Sequence, residues 1–192
     1  IYQCDWSSDV CSSDLMEVRR FVKRQIDELI DTREPQLLAG IVSDLRVINA
    51  QRGKLALFKL DDKSAVIEAS ADEALINAHK NLLKDDELII VMAKPQPDRF
   101  SGGLRLSVTQ IWDLPTARCR FGKFLRVAVN GKAPDIARLL RDFPARREMT
   151  DEGEELVRGM LVRLAVRREG ATAELQLGEE ARFFPSDEIG TA

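Results

Sequence analysis

The sequence predicts a five-stranded β barrel followed by a small α+β domain, with one amphipathic helix before the barrel. Two observations carry this prediction. Residues 37–114 hold five apolar segments of strand length and one helix-type segment between the third and the fourth. After residue 115 the pattern changes to a strand, a helix and a hairpin. With 192 residues, 44% of them hydrophobic and 32% charged, the chain is long enough for two small globular domains.

Residues 1–15 form a segment that differs from the rest of the chain. They have neither the basic start of a secretory signal nor any helix or strand periodicity. The run DWSSDVCSSDL (5–15) is similar to the translation of a common sequencing-library adapter, so we expect residues 1–15 to be an adapter-derived, non-native tail. A disordered Ser/Asp-rich arm is the alternative. The tail holds three aspartates, two of the three cysteines and no basic residue, so the remainder is electrically neutral.

Residues 16–36 are predicted to be a helix from the end of a preceding region. Apolar residues from Val18 to Ile30 recur at helical spacing, with basic residues between them. Pro35 ends the helix, because proline disfavours helical geometry in the residue before it. The basic face can touch phosphate, although such faces are ordinarily only solvated.

Residues 37–114 are predicted to form the barrel. Gly40 gives the first strand a place to bend, and Asp61-Asp62-Lys63 is typical of a hairpin turn. Ser70 and Glu73 have capping-box spacing before a short helix. Three strands, a helix and two strands is the order of the OB fold. The predicted strands are 37–50, 54–60, 64–70, 87–94 and 104–112.

Residues 115–192 are predicted to form a β-α-β-β domain. Strand 124–131 precedes a helix that Pro134 opens. Segments 160–168 and 171–178 alternate on either side of Glu169-Gly170, which is a hairpin signal. The charged stretch 146–155 is predicted to be a loop.

Residues for enzyme chemistry are scarce. His79 is the single histidine, and its apolar neighbours on the predicted helix favour a structural role over acid–base chemistry. The chain has no histidine besides His79 that could activate the thiol of Cys119. Asp61 and Asp62 can hold a divalent cation, but at a hairpin tip they are more often turn formers. We therefore expect no catalytic, metal or cofactor-binding residue in this chain.

A nucleic-acid-binding surface remains as the prediction. OB barrels commonly bind single strands by pairing cations with phosphates and aromatic rings with bases. Two aromatic candidates are few, so the affinity should depend on phosphate contacts and fall with salt. The alternative is that Phe58 belongs to the barrel core and the cations are ordinary surface. The candidate binding residues are Arg46, Arg52, Lys54, Phe58, Lys59, Lys94, Arg99, Phe100 and Arg105.

Five short motifs stand at fixed spacing over about eighty residues: Ala39-Gly40, Arg52-Gly53, Leu60-Asp61-Asp62, Lys84-Asp85 and Phe100 to Leu106. Together they resemble the OB-fold region of bacterial replicative DNA polymerase III alpha subunits, near their C-terminus. Lys63 and Ala65 depart from the family pattern, because the family usually has glycine there. The segment LQLGEEARFFPSDE (175–188) is similar to the family's extreme C-terminal domain, which we expect to be truncated here.

The resemblance implies a cytoplasmic, non-catalytic part of a polymerase that binds single-stranded template DNA and the tau subunit of the clamp loader. Other holoenzyme subunits are implied as partners, and no membrane is. Polymerisation with Mg²⁺ would belong to the parent protein, outside this chain. Two alternatives stay open: an RNA-binding OB module of the aminoacyl-tRNA synthetase type, and a protein–protein spacer domain.

Overall fold

The computed structural model describes residues 12–32, 34–51, 53–98, 102–130, 135–149 and 153–185. The chain divides into two compact units, residues 1–114 and residues 115–192. No helix within the described ranges combines the length and apolar character that crossing a bilayer requires.

The first unit contains a short N-terminal helix and a closed barrel. Helix α2 lies between the third and fourth strands in sequence, so the predicted OB order is confirmed. Around the barrel the strands run β1-β2-β3-β5-β4. The elements are α1 (Ser12–Val18), β1 (Gln36–Ala50), β2 (Gly53–Asp61), β3 (Val66–Asp72), α2 (Glu73–Ala78), β4 (Leu88–Pro97) and β5 (Leu104–Trp112).

Strand β1 closes the barrel because it pairs with two strands. Its first six residues pair antiparallel with β4, and residues from Ile41 onward pair with β2. A Cβ on Gly40 would lie 2.8 Å from both the Asp61 carbonyl oxygen and Leu60 Cγ. Only glycine permits β2 to approach β1 so closely. A register shift between Ser43 and Arg46 then bends the strand, with Asp44 at φ 55°.

The barrel interior is filled by the alternate residues that the sequence pattern marks as apolar. On β2 these are Ala56, Phe58 and Leu60, and all three are buried. Leu106 and Val108 of β5 are also buried, as their alternation predicts. The residues of opposite parity on β2, such as Leu57 and Lys59, are exposed and available for binding.

The helix predicted over residues 16–36 is wrong. The observed helix α1 ends at Val18, and the chain continues in turns and irregular backbone to Pro35. Val18, Val22 and Ile26 are nevertheless buried, which explains the apolar spacing. The Ile26 N–H, which a helix would direct to residue 22, instead donates to Asp62 Oδ2 at 2.9 Å. The segment after Val18 therefore packs against the barrel in turns and irregular backbone instead of continuing as a helix.

The predicted Ser70/Glu73 capping box is also wrong. Ser70 stays in β3 and its hydroxyl donates to the Leu106 carbonyl at 3.2 Å. The N-cap of α2 is Asp72, which accepts from the Leu75 N–H at 2.9 Å. The Glu73 carboxylate accepts from the Lys54 N–H instead. Strand pairing therefore extends two residues beyond the predicted boundary.

The second unit is built on a three-stranded sheet in the order β10-β9-β6, with β6 parallel and β10 antiparallel to β9. Its buried residues include Val129, Val162 and Phe183, and the Phe183 ring contacts Phe143 edge-on at 5.7 Å. Pro134 lies outside the described residues. The elements are α3 (Leu114–Phe121), β6 (Phe124–Asn130), α4 (Ile136–Asp142), β7 (Arg146–Met149), β8 (Glu155–Arg158), β9 (Leu161–Arg168), β10 (Ala171–Gln176) and a 3₁₀ turn (Glu179–Ala181).

The loop predicted over residues 146–155 is wrong where the structure describes it, because β7 and β8 form a two-stranded antiparallel hairpin. Charged pairs hold it across the strands: Arg147 with Glu155 at 3.2 Å and Arg158 with Glu148 at 2.5 Å. Nearly all of its residues are exposed, so the hydrophobic alternation that identifies a half-buried strand is missing.

Asp62 connects the barrel to the segment before it. Its buried carboxylate accepts from the Ser64 hydroxyl at 2.5 Å and from the N–H groups of Ile26, Ser64 and Ala65. Burial raises the pKa of Asp62, but these hydrogen bonds outweigh it, and the Asp62 pKa lies below its ordinary value. The second aspartate of the LDD motif is thus a turn former and an anchor.

Replacing Asp62 by asparagine should lower the free energy of unfolding by about 1–3 kcal/mol at neutral pH, because an amide cannot accept from both sides. A lowered folded-state pKa stabilises the fold above the unfolded pKa, and this stability disappears as pH falls. Urea unfolding should therefore show a wild-type advantage at pH 7 that shrinks below about pH 4. Glu68→Gln, at an exposed strand position, is the control. An advantage independent of pH would contradict this assignment.

Candidate nucleic-acid interface

The candidate cations that the structure describes all lie on the outside of the barrel. Arg46, Lys54, Lys59, Lys94 and Arg105 are exposed. Their strands alternate with buried positions such as Phe58 and Leu106, which direct the remaining residues outward. The candidates Arg52, Arg99 and Phe100 lie outside the described residues.

One row of paired residues crosses the outer surface of all five strands. We call it the belt: Arg46 of β1 pairs with Leu57 of β2, Leu57 with Ser70 of β3, Ser70 with Ser107 of β5, and Ser107 with Lys94 of β4. A cation stands at each end, and an exposed leucine and two hydroxyl groups stand between them. The belt thus offers charge for phosphates and short polar or apolar side chains for sugars and bases.

The barrel separates the cations into two groups. Arg46, Lys54 and Lys59 lie on β1 and β2, and Lys94 and Arg105 lie on β4 and β5. Strand β3 stands between β2 and β5 and carries exposed Glu68 and Asp72. A polyanion that follows the belt from one group to the other crosses β3 at Ser70, whose side chain is neutral.

Lys59 already has an anionic partner. Its Nζ lies 2.7 Å from Asp44 Oδ2, and both side chains are about half exposed. The Lys59 hydrogen bond and charge lower the pKa of Asp44. Asp44 sits at the bend that follows the register shift in β1, so the strand irregularity places a carboxylate beside a candidate ligand cation. A phosphate must displace or share that carboxylate to reach Lys59.

The assignment of Phe58 as a base-stacking residue is wrong. Only 3% of Phe58 is exposed, and it packs in the barrel core. Trp112 is also buried, so no aromatic ring among the described barrel residues is open to a base. Exposed aliphatic side chains take that place: Ile48 is 44% exposed and Leu57 is 37% exposed. Sequence reasoning missed both, although the place of Leu57 between Ala56 and Phe58 in the alternating β2 pattern was a readable signal.

The other reactive candidates have structural environments. His79 is the C-cap of α2 and is half-buried, and burial lowers its pKa while the Asp113 carboxylate opposes that shift. Cys119 lies half-buried in α3. Within the described ranges, no three histidine, cysteine or carboxylate side chains come together in a way that could hold a metal ion.

The fold and the surface together define a class: an OB-fold barrel whose outer face carries cations and short side chains, joined to a small α+β unit. Barrels of this architecture commonly serve as binding modules. No known protein-family model matches this sequence.

Comparison with curated proteins identifies a particular relationship. The chain is 35% identical over 177 residues to DNA polymerase III subunit alpha of Pseudomonas aeruginosa, 29% identical over 178 residues to that of Vibrio cholerae, and 26% identical over 182 residues to that of Escherichia coli K12. These matches cover 90–91% of this chain and 14–15% of the relatives. The resemblance to the C-terminal part of this polymerase subunit is therefore confirmed.

Solved structures with partial similarity include the second OB-fold domain of replication protein A from Methanococcus maripaludis, at 18% identity and a TM-score of 0.36 over 47% of this chain and 92% of that domain. A replication protein A heterotrimer bound to single-stranded DNA matches at 17% identity and a TM-score of 0.39, over 82% of this chain and 42% of that one. The OB assignment here comes from the strand order of the barrel itself.

Proposed function

We propose that this chain is a non-catalytic part of a replicative DNA polymerase alpha subunit and that its barrel binds single-stranded template DNA. The observation that carries the proposal is the belt, which has a cation at each end and a neutral crossing at Ser70. The similarity to DNA polymerase III alpha subunits supports template DNA as the ligand. The chain spans about one seventh of those relatives, and we assign Mg²⁺-dependent polymerisation to the rest of the parent protein.

Binding of this kind takes most of its affinity from phosphates. Each phosphate neutralised by Arg46, Lys94 or Arg105 releases condensed counterions, so affinity falls as salt rises. Without an open aromatic ring on the described barrel surface, base stacking contributes little, and Leu57 and Ile48 offer contacts that do not discriminate between bases. The barrel should hold template of any sequence, which suits a protein that copies whole genomes.

The second unit is proposed to contact the tau subunit of the clamp loader, together with other holoenzyme subunits. The β7–β8 hairpin supports this, because Met149 and Val157 share one of its faces and are 69% and 41% exposed. A two-stranded hairpin is marginally stable alone in water, and burying these side chains against a partner would stabilise it.

The barrel proposal predicts a charge-dependent loss of binding. Arg46→Gln with Lys54→Gln, or Lys94→Gln with Arg105→Gln, removes two cations from one group. Each pair should weaken binding of oligo(dT) of about 16 nucleotides several-fold and reduce the magnitude of the log–log salt slope by about 1.4. Asp44→Asn frees Lys59 and should strengthen binding. Fluorescence anisotropy between about 50 and about 200 mM salt measures both quantities.

Lys84→Gln, at an exposed lysine between α2 and β4, is the matched control and should leave affinity unchanged. Wild-type affinity in both double variants would rule out the belt as the DNA site. Tighter binding of a structured RNA than of oligo(dT) would favour the RNA-binding module instead, and failure of every oligonucleotide to bind would favour a spacer domain.

The tau proposal predicts that Met149→Ser with Val157→Ser weakens tau binding at least ten-fold in surface plasmon resonance, because the exposed apolar contact on one face of the hairpin is lost. Oligo(dT) binding should not change, since neither residue belongs to the belt. Val47→Ser, at an exposed valine of the barrel, is the control. Equal tau affinity in the hairpin variant and the wild type would contradict the assignment.

A further inference from the structure

The three-stranded sheet of the second unit has two chemically different faces. Residues Leu125, Val127 and Val129 of β6 share one face with Val162 and Leu164 of β9, and the buried members Val129 and Val162 lie there. The opposite face carries three arginines on β6 and β9 and one glutamate on β10. On that face Arg126, Ala128, Arg167, Thr172, Glu174 and Gln176 are all exposed.

The open face contains a shallow trough. Ala128 of β6 pairs with Ala165 of β9, and these two small side chains form its floor. On one side of this floor, Arg126 of β6 pairs with Arg163 of β9. On the other side is Arg167, four residues after Arg163 on β9. The Arg126–Arg163 pair and Arg167 are about 13 Å apart along the strand. A chain of anions lying on the alanines would therefore have guanidinium groups on both sides.

The arginines on one side of the trough are held in place. The Arg163 guanidinium stacks over the Phe124 ring at 4.0 Å, and its Nε donates to Gln176 Oε1 at 3.1 Å. Arg126 pairs with Glu174 at 2.9 Å. Arg167 has no ion pair or hydrogen bond from its side chain within the described part of the chain, so its charge is uncompensated. A stacked guanidinium on one side of the alanine floor and an uncompensated one on the other side combine a platform for a base with a phosphate contact.

We propose that this trough is a second binding surface for single-stranded nucleic acid, separate from the barrel. Three guanidinium groups against one carboxylate favour a polyanion. Acidic peptides also satisfy charge, but they have no use for the Arg163–Phe124 platform, on which a base can stack. A sugar–phosphate backbone would lie on the alanine floor, with the Arg126–Arg163 pair on one side and Arg167 on the other.

The experiment is site-specific photocrosslinking in the full chain, with the photoreactive residue p-benzoylphenylalanine in place of Ala128. The control places it at Leu175, an exposed position on the opposite face of the sheet. Radiolabelled oligo(dT) should crosslink from position 128 at low salt and lose the crosslink as salt rises, and it should give none from position 175. Neutralising Arg46, Lys94 and Arg105 of the barrel should leave the crosslink in place. Absence of a crosslink at position 128 would overturn the proposal.

Affinity measurements provide the second test. In the barrel-neutralised chain, Arg163→Gln with Arg167→Gln should raise the Kd for oligo(dT) about five-fold and reduce the magnitude of the salt slope by about 1.4. Arg168→Gln removes the neighbouring exposed charge on the other face and should have no effect. Arg167→Gln alone keeps the test valid should the Arg163 variant lose its fold. An unchanged Kd, or binding of polyglutamate but not of oligo(dT), would overturn the proposal.

Discussion

The closed barrel depends on the ability of one strand, β1, to pair with two other strands along its length. Strand β1 pairs with β4 through its first residues and with β2 through the rest, and the change of partner occurs next to Gly40. A Cβ there would collide with the backbone of β2 at Asp61. If β2 could not approach, β1 could not pair with both β2 and β4, and the closed core around Leu38, Phe58 and Leu106 would open to water.

Closure also creates the binding surface. Arg46 and Lys94 are far apart in sequence, and only the continuous pairing through β2, β3 and β5 places them in one row. The same closure directs Phe58 inward and leaves Leu57 outside. Burial of Phe58 and Trp112 therefore stabilises the barrel. Because these rings are buried, we expect the outer surface to bind its ligand mainly through its charged side chains. Salt sensitivity is the expected functional consequence of that division.

Sequence patterns predicted the elements that bury one face and missed those governed by distant contacts. The five barrel strands were predictable because alternation at β2 and β5 reflects burial. The helix expected over residues 16–36 failed because the Ile26 amide bonds to Asp62, thirty-six residues away in sequence. The β7–β8 hairpin was missed because charged pairs hold it. The individual cations were identifiable, but the belt was not, since it requires the register of β3 against β5.

Backbone amide chemical-shift mapping of the isotope-labelled chain during titration with oligo(dT) tests the central claim most directly, because it locates the ligand residue by residue. The account predicts that the barrel shifts concentrate along the belt, at and beside Arg46, Leu57, Ser70, Ser107 and Lys94, and that they disappear at high salt. Saturating DNA that leaves these strands unshifted would contradict it.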